Sequence, residues 1–159
     1  AMSMSTTTRP TDLTIVRGHV ESGKLADLFS SDDSRLNVQP GPTQDPEEPP
    51  VWLELTGTAS TDTPSALSFI LETNVDTPGV TQKIKLFNYD TQEFEEIDSR
   101  TASFNVDDSI EIEVVGDPSR FVDSESLEIK AQLTWKPGPI VLLFPWTVGI
   151  DQAVWAISP

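Results

Sequence analysis

The sequence predicts an all-β protein: an antiparallel β-sandwich of jelly-roll topology with about ten strands and at most one short helical turn. Three observations carry this. Apolar and polar residues alternate with a period of two through most of the 159 residues. Clusters of Gly, Pro, Asn and Asp punctuate the alternating runs. No stretch sustains a helical period beyond one turn.

Taken in chain order, residues 1–11 are Ser- and Thr-rich with Arg9-Pro10 and read as a flexible lead-in to a single domain over residues 12–158. Leu13–Val20 is the first expected strand. Gly23–Phe29 is the one helical turn, with Leu25, Leu28 and Phe29 facing inward. Arg35–Val38 is extended again. Residues 39–50 then form a loop, because Pro40, Pro42, Pro46, Pro49 and Pro50 remove backbone donors and forbid both helix and central strand.

Val51, Leu53 and Leu55 alternate with Trp52, Glu54 and Thr56, which makes a strand with one wet face. Ala66–Val75, Gln82–Tyr89 and Glu93–Ile97 are further strands. Ile110, Ile112 and Val114 alternate with Glu111 and Glu113. The clearest case is Leu127, Ile129, Ala131, Leu133 and Trp135 set against Glu128, Lys130, Gln132, Thr134 and Lys136. Ile140–Phe144 and Gly149–Ile157 complete the set. Between them, Asp76-Thr77-Pro78-Gly79, Asn105-Val106-Asp107-Asp108, Gly116-Asp117-Pro118-Ser119 and Lys136-Pro137-Gly138-Pro139 have turn chemistry. Long strands, a proline-rich crossing loop and an apolar last strand favour a jelly roll over an immunoglobulin-type sandwich, which is nearer 100 residues and often pinned by a disulfide.

Composition narrows function. The chain carries 26 acidic against 10 basic residues, a formal charge of −16, with a sequence pI near 4.1. Affinity for nucleic acid comes from Lys and Arg displacing counterions from phosphates, so nucleic acid is excluded as a partner, and anionic membrane surfaces are disfavoured. The same charge suits solubility in a crowded or salty exterior and attracts cations. Without cysteine there is no disulfide, thiolate nucleophile or zinc-thiolate site. No run approaches the ~20 apolar residues of a membrane span. Ala1-Met2-Ser3-Met4-Ser5 lacks the basic-then-apolar order of a leader, and Ala1 ahead of Met2 is expected to be a cloning remnant on a piece of a larger protein.

Candidate chemistry is sparse. His19, the single histidine, reads as a strand-end residue, and there is no Gly-x-Ser-x-Gly elbow, so no catalytic residue is assigned. The acid clusters Asp90-Glu93-Glu95-Glu96-Asp98 and Asp107-Asp108-Glu111-Glu113 could in principle supply a hydrolytic carboxylate pair, but their spacing is that of wet strand faces and turns. Ser30-Ser31-Asp32-Asp33-Ser34 places consecutive oxygen-bearing side chains in one loop, the chemistry calcium prefers, and Ser31, Asp32 and Asp33 are the candidate ligands. Asp107-Asp108 is a second such pair. Trp52 lies at the polar parity of its strand and Tyr89 closes the Phe87-Asn88-Tyr89 turn; exposed aromatics stack on sugars or anchor interfaces, so these two are the candidate ligand-binding residues. Trp135, Trp146 and Trp155 are expected in the core or at sheet ends.

Val16-Arg17-Gly18, Glu21-Ser22-Gly23, Ser31-Asp32-Asp33, Pro50-Val51-Trp52-Leu53, Leu86-Phe87-Asn88-Tyr89-Asp90, Ser119-Arg120-Phe121-Val122, Phe144-Pro145-Trp146 and Ile150-Asp151-Gln152 occur in an order that resembles an accessory domain found near the C-termini of large bacterial secreted or cell-surface proteins. Such domains are similar to galactose-binding-like jelly rolls. The resemblance implies a non-enzymatic binding or attachment module with a glycan or protein ligand, in a secreted or cell-surface setting beside other domains. It also implies a structural calcium between an early loop and the last strand, which would join Asp151 to Ser31, Asp32 and Asp33. A spacer or assembly domain without a small ligand, and a carboxylate-based glycan hydrolase or lyase, stand beside it as alternatives.

Overall fold

The structure, a computed structural model, describes residues 6–29, 35–41, 48–137 and 146–158. Its elements are β1 (Thr6–Thr8), β2 (Asp12–Arg17), β3 (His19–Ser22), β4 (Leu36–Gln39), β5 (Val51–Thr58), β6 (Ala66–Val75), β7 (Val80–Asn88), β8 (Glu93–Thr101), β9 (Asp108–Glu113), β10 (Glu128–Pro137) and β11 (Val148–Ser158). One sheet runs β3-β4-β11-β6-β9, with β1 on the same edge of β11 as β4; the other runs β2-β5-β10-β7-β8. All named strands pair antiparallel. Apart from the β7–β8 hairpin, successive connections from β4 onward cross from one sheet to the other, as in a jelly roll.

The expected alternation becomes the packing. In β5, β6 and β7 every second residue is buried, and Leu53, Leu55, Ile84, Leu86, Leu133 and Trp135 of one sheet face Leu36, Val38, Phe69, Leu71, Ile150 and Trp155 of the other. Phe69 meets Trp155 edge-on at 5.5 Å and 80°. Gly57 is where a backbone must come close: an added Cβ would stand 2.9 Å from Trp155 Cζ3. One polar clip joins the sheets through the apolar core. Gln82 Oε1 on β7 accepts from Thr73 Oγ1 on β6 at 2.6 Å and from Trp135 Nε1 on β10 at 2.9 Å.

Several local expectations change. The single strand expected over Leu13–Val20 is two, β2 and β3, in different sheets, because Gly18 takes φ +124° and turns the chain from one to the other. Where a polar lead-in was expected, Thr6–Thr8 form β1, their β-branched side chains paired along Trp155–Ile157. The helical turn at Gly23–Phe29 is a 3₁₀ turn over Leu25–Leu28 that buries Leu28. A second 3₁₀ turn, Pro118–Phe121, starts at a proline behind an Asp117 cap and buries Phe121. The strand expected at Ile140–Phe144 lies outside the described residues.

Candidate functional site

The outer face of the five-stranded sheet follows from parity. With Leu53, Ile84 and Leu133 turned into the core, β5 presents Trp52, Glu54 and Thr56 outward; β7 presents Thr81, Lys83, Lys85 and Phe87; β10 presents Lys130, Gln132, Thr134 and Lys136. Strand register sets these in rows. Trp52, Thr134 and Lys83 lie side by side, and Glu54, Gln132 and Lys85 form the next row.

A groove of about 370 Å³ runs across these rows. Gln132 and Thr134 form its floor, and although they point away from the core each is only 8% exposed. The cause is neighbour size: β10 is the middle strand, and Trp52 from β5 on one side with Lys83 and Lys85 from β7 on the other rise above its shorter side chains. Pro49 borders the groove beside Trp52, and Thr81 with Lys136 closes the corresponding end.

Trp52 is held in place. Its Nε1 donates to Glu54 Oε2 at 3.1 Å, which also accepts from Gln132 Nε2 at 3.4 Å. The Arg17 guanidinium lies 5.6 Å from the centre of the Trp52 ring and is itself anchored to the Pro49 carbonyl at 3.0 Å and to Glu48 at 3.0 Å. The ring is half-buried, so one part is fixed and another stays available.

Tyr89 is placed differently. It lies beyond the groove, its ring edge-on to Phe87 at 4.8 Å and its hydroxyl donating to Glu128 Oε1 at 3.0 Å. Partial burial, then the bond to Glu128 and the charges of Glu128 and Asp123, hold its hydroxyl protonated well above the usual tyrosine range. Phe87 also meets Phe94 edge-on at 5.2 Å, and Lys130 Nζ lies 5.4 Å from the Phe87 ring centre. The same outer face therefore has Trp52 at one end and a Phe87-Phe94-Tyr89 cluster at the other.

The acidic turns and strands mostly have structural partners. Arg120 clasps Glu95 with Nε at 3.2 Å and Nη2 at 2.8 Å, which together with Asn88 lowers the Glu95 carboxyl below its ordinary range against a smaller opposing effect of burial. Arg100 clasps Asp98 with Nε at 2.8 Å and Nη2 at 3.0 Å. Asn88 Oδ1 accepts from the amides of Asp90 and Thr91, so the Asn88-Tyr89-Asp90 motif is an Asx turn. His19 is an exposed residue of β3, paired with Gln39.

Of the candidate calcium ligands, Ser31, Asp32 and Asp33 lie outside the described residues. Asp151 is fully buried, at a bulge where the pairing of β11 with β6 shifts between Ile150 and Gln152. The bulge brings it to Glu72 and Asp107, with a carboxylate oxygen of each within 4.8 Å of the others. Arg35 Nε donates to both Asp107 oxygens at 3.2 Å and Asn74 Nδ2 donates to Oδ1; these bonds, Arg35 foremost, hold the Asp107 carboxyl below its usual range. Gly149 leaves room for this arrangement, since a Cβ there would meet Arg35 Cδ at 3.1 Å. Glu72 carries no sequence signal that separates it from the other wet-face acids.

No family model matches the chain, and no curated protein matches it. Solved structures do. A family 29 carbohydrate binding module is 11% identical and superposes with a TM-score of 0.56 over 98% of this chain and 90% of that one. A mutant family 29 module in complex with mannohexaose is 9% identical with a TM-score of 0.54 over 98% of this chain and 93% of its own. The Clostridium thermocellum N-terminal endo-1,4-β-D-xylanase 10B, as its CBM22-1-GH10 modules in complex with xylohexaose, gives 10% identity and a TM-score of 0.59 over 99% of this chain and 29% of that longer one. The fold is the β-sandwich jelly roll of these modules.

Proposed function

We propose that the protein is a non-catalytic, glycan-binding accessory module of a secreted or cell-surface bacterial protein. The observation that carries this reading is the groove on the outer face of β5, β10 and β7. It combines a fixed, half-buried tryptophan with a floor of amide and hydroxyl groups, and a sugar presents the matching pair of surfaces, an apolar ring face and a rim of hydroxyls. Binding to Trp52 and hydrogen bonding to Gln132 and Thr134 would hold a chain laid across the strands. Tyr89 would act through Phe87, which it buttresses at the far end of the face. The structural neighbours bound to mannohexaose and xylohexaose support the same class of ligand.

Calorimetric titration with manno-, xylo- and cello-hexaose tests the reading. A hexaose is expected to bind, and Trp52→Ala is expected to weaken it by about 1–3 kcal/mol, as when an aromatic anchor of an interface is truncated. Binding undiminished in Trp52→Ala would place the ligand elsewhere, and a surface that binds no glycan but captures a protein would favour the attachment alternative.

A structural calcium is part of the proposal. Glu72, Asp107 and Asp151 offer carboxylate oxygens from three strand regions, the donor type calcium takes, with Asp107 also held by Arg35 and Asn74. They would hold it, and the ion would supply a cross-link between β6, β11 and the start of β9. Melting in EDTA is expected to fall several degrees below melting in millimolar calcium, as an ion at 100 times its Kd adds about 2.7 kcal/mol. Coincident melts would remove calcium from the account.

A further inference from the structure

The charge of the groove is opposite to that of the molecule. The chain has a net charge of −16 and only five lysines, yet Lys83, Lys85 and Lys136 all border the groove, and a fourth, Lys130, lies on the same outer face. Among the described residues no carboxylate lines it. Lys83 and Lys85 stand two residues apart on one face of β7, roughly 6–7 Å along the strand. Lys136 is opposite Thr81 and so diagonal to Lys83, at roughly 7–8 Å. Like charges at these separations repel one another, and among them stands Glu96, opposite Lys85 on β8.

The neighbouring acids leave the charge of Lys83 and Lys85 largely in place. Glu54 is occupied by Trp52 Nε1 and Gln132 Nε2. Glu96 reaches Lys83 only at 3.7 Å, with both side chains 45% exposed, a pair too wet to neutralise much. Lys85 makes no ion pair among the described residues.

Resting on the glycan-binding reading above, we infer that the ligand of this groove is an anionic glycan, one whose sugars carry uronate carboxylates or sulfate esters. Trp52 offers its ring to one sugar while the lysines meet the negative groups of its neighbours. The surrounding acidic surface repels the same polymer everywhere else, so the chain is steered to one face.

The test is calorimetric titration of the full chain with oligosaccharides of matched length: neutral xylo- and manno-hexaose, hexagalacturonate, and a sulfated hexaose, each at about 20 mM and about 500 mM salt. An acidic hexamer is expected to bind about ten-fold tighter than the neutral ones at low salt, the sum of partly exposed charge pairs to Lys83 and Lys85, and to lose that advantage at high salt. Hexagalacturonate and the sulfated sugar compared directly distinguish the two sources of charge. Lys85→Gln is expected to cut the preference to about three-fold, and the double change Lys83→Gln, Lys85→Gln to remove it together with the salt dependence, the loss being larger for the acidic hexamer than for the neutral ones. Neutral hexaoses that bind as tightly as the acidic ones, without salt dependence, would overturn this inference and leave the glycan-binding reading standing. If none of the sugars binds, both fall.

Discussion

At the scale of single residues, Gln82 shows how one polar side chain can specify a core. It stands at the inward parity of β7 with Ile84 and Leu86, which the sequence displays, but its partners Thr73 and Trp135 come from strands it meets only through the fold. Its oxygen accepts from both. Gln82→Leu keeps the shape and orphans two buried donors, at about 1–3 kcal/mol each when left unsatisfied, so urea unfolding should show a loss of about 2–6 kcal/mol. A loss below ~0.5 kcal/mol would mean that the clip contributes nothing. Trp52 was legible for the same reason as Gln82: an aromatic at polar parity beside a proline run points outward. The burial of Gln132 and Thr134 was not, because it comes from the height of side chains on neighbouring strands and not from anything local.

At the scale of elements, alternation located the strands, and sheet membership was hidden. Leu13–Val20 reads as one run because both halves are extended; only the backbone of Gly18 sends β3 to the opposite sheet. The acid group is hidden similarly: Asp107 and Asp151 each carried some signal, but the bulge in β11 that joins them to Glu72 depends on cross-strand register. Arg120 was legible only as part of a motif. Its role is to fasten the loop of the second 3₁₀ turn, through the carbonyls of Val115 and Asp117, to Glu95 on β8. This clamp has a pH signature. The folded-state value of Glu95 lies below its usual 4.5, so the stabilisation is complete above the unfolded value and is lost as pH falls through the folded one. The stability difference between wild type and Glu95→Gln should therefore be constant from about pH 5.5 to 7 and shrink below about pH 4.5. A difference that grew on acidification would contradict the clamp. With both partners only partly buried, its size is expected to be small.

At the scale of the whole molecule, the two sheets divide the work. The six-stranded sheet carries the acid group around Asp151 on its outer side, and the five-stranded sheet carries the groove, so a change at one face can be made without touching the other. The overall acidity is a property of strand faces and turns, with the few lysines gathered where a ligand would lie. That division makes the central claim, a glycan held across β5, β10 and β7 against Trp52, open to a direct spatial test. Amide and indole chemical shifts of the labelled chain, followed during titration with neutral and acidic hexaoses, should move at Trp52, Lys83, Lys85, Gln132 and Thr134, with the Trp52 indole shifting while those of the buried Trp135 and Trp155 stay still. Shifts confined to the six-stranded sheet, or a saturating sugar that leaves the Trp52 indole unmoved, would contradict it.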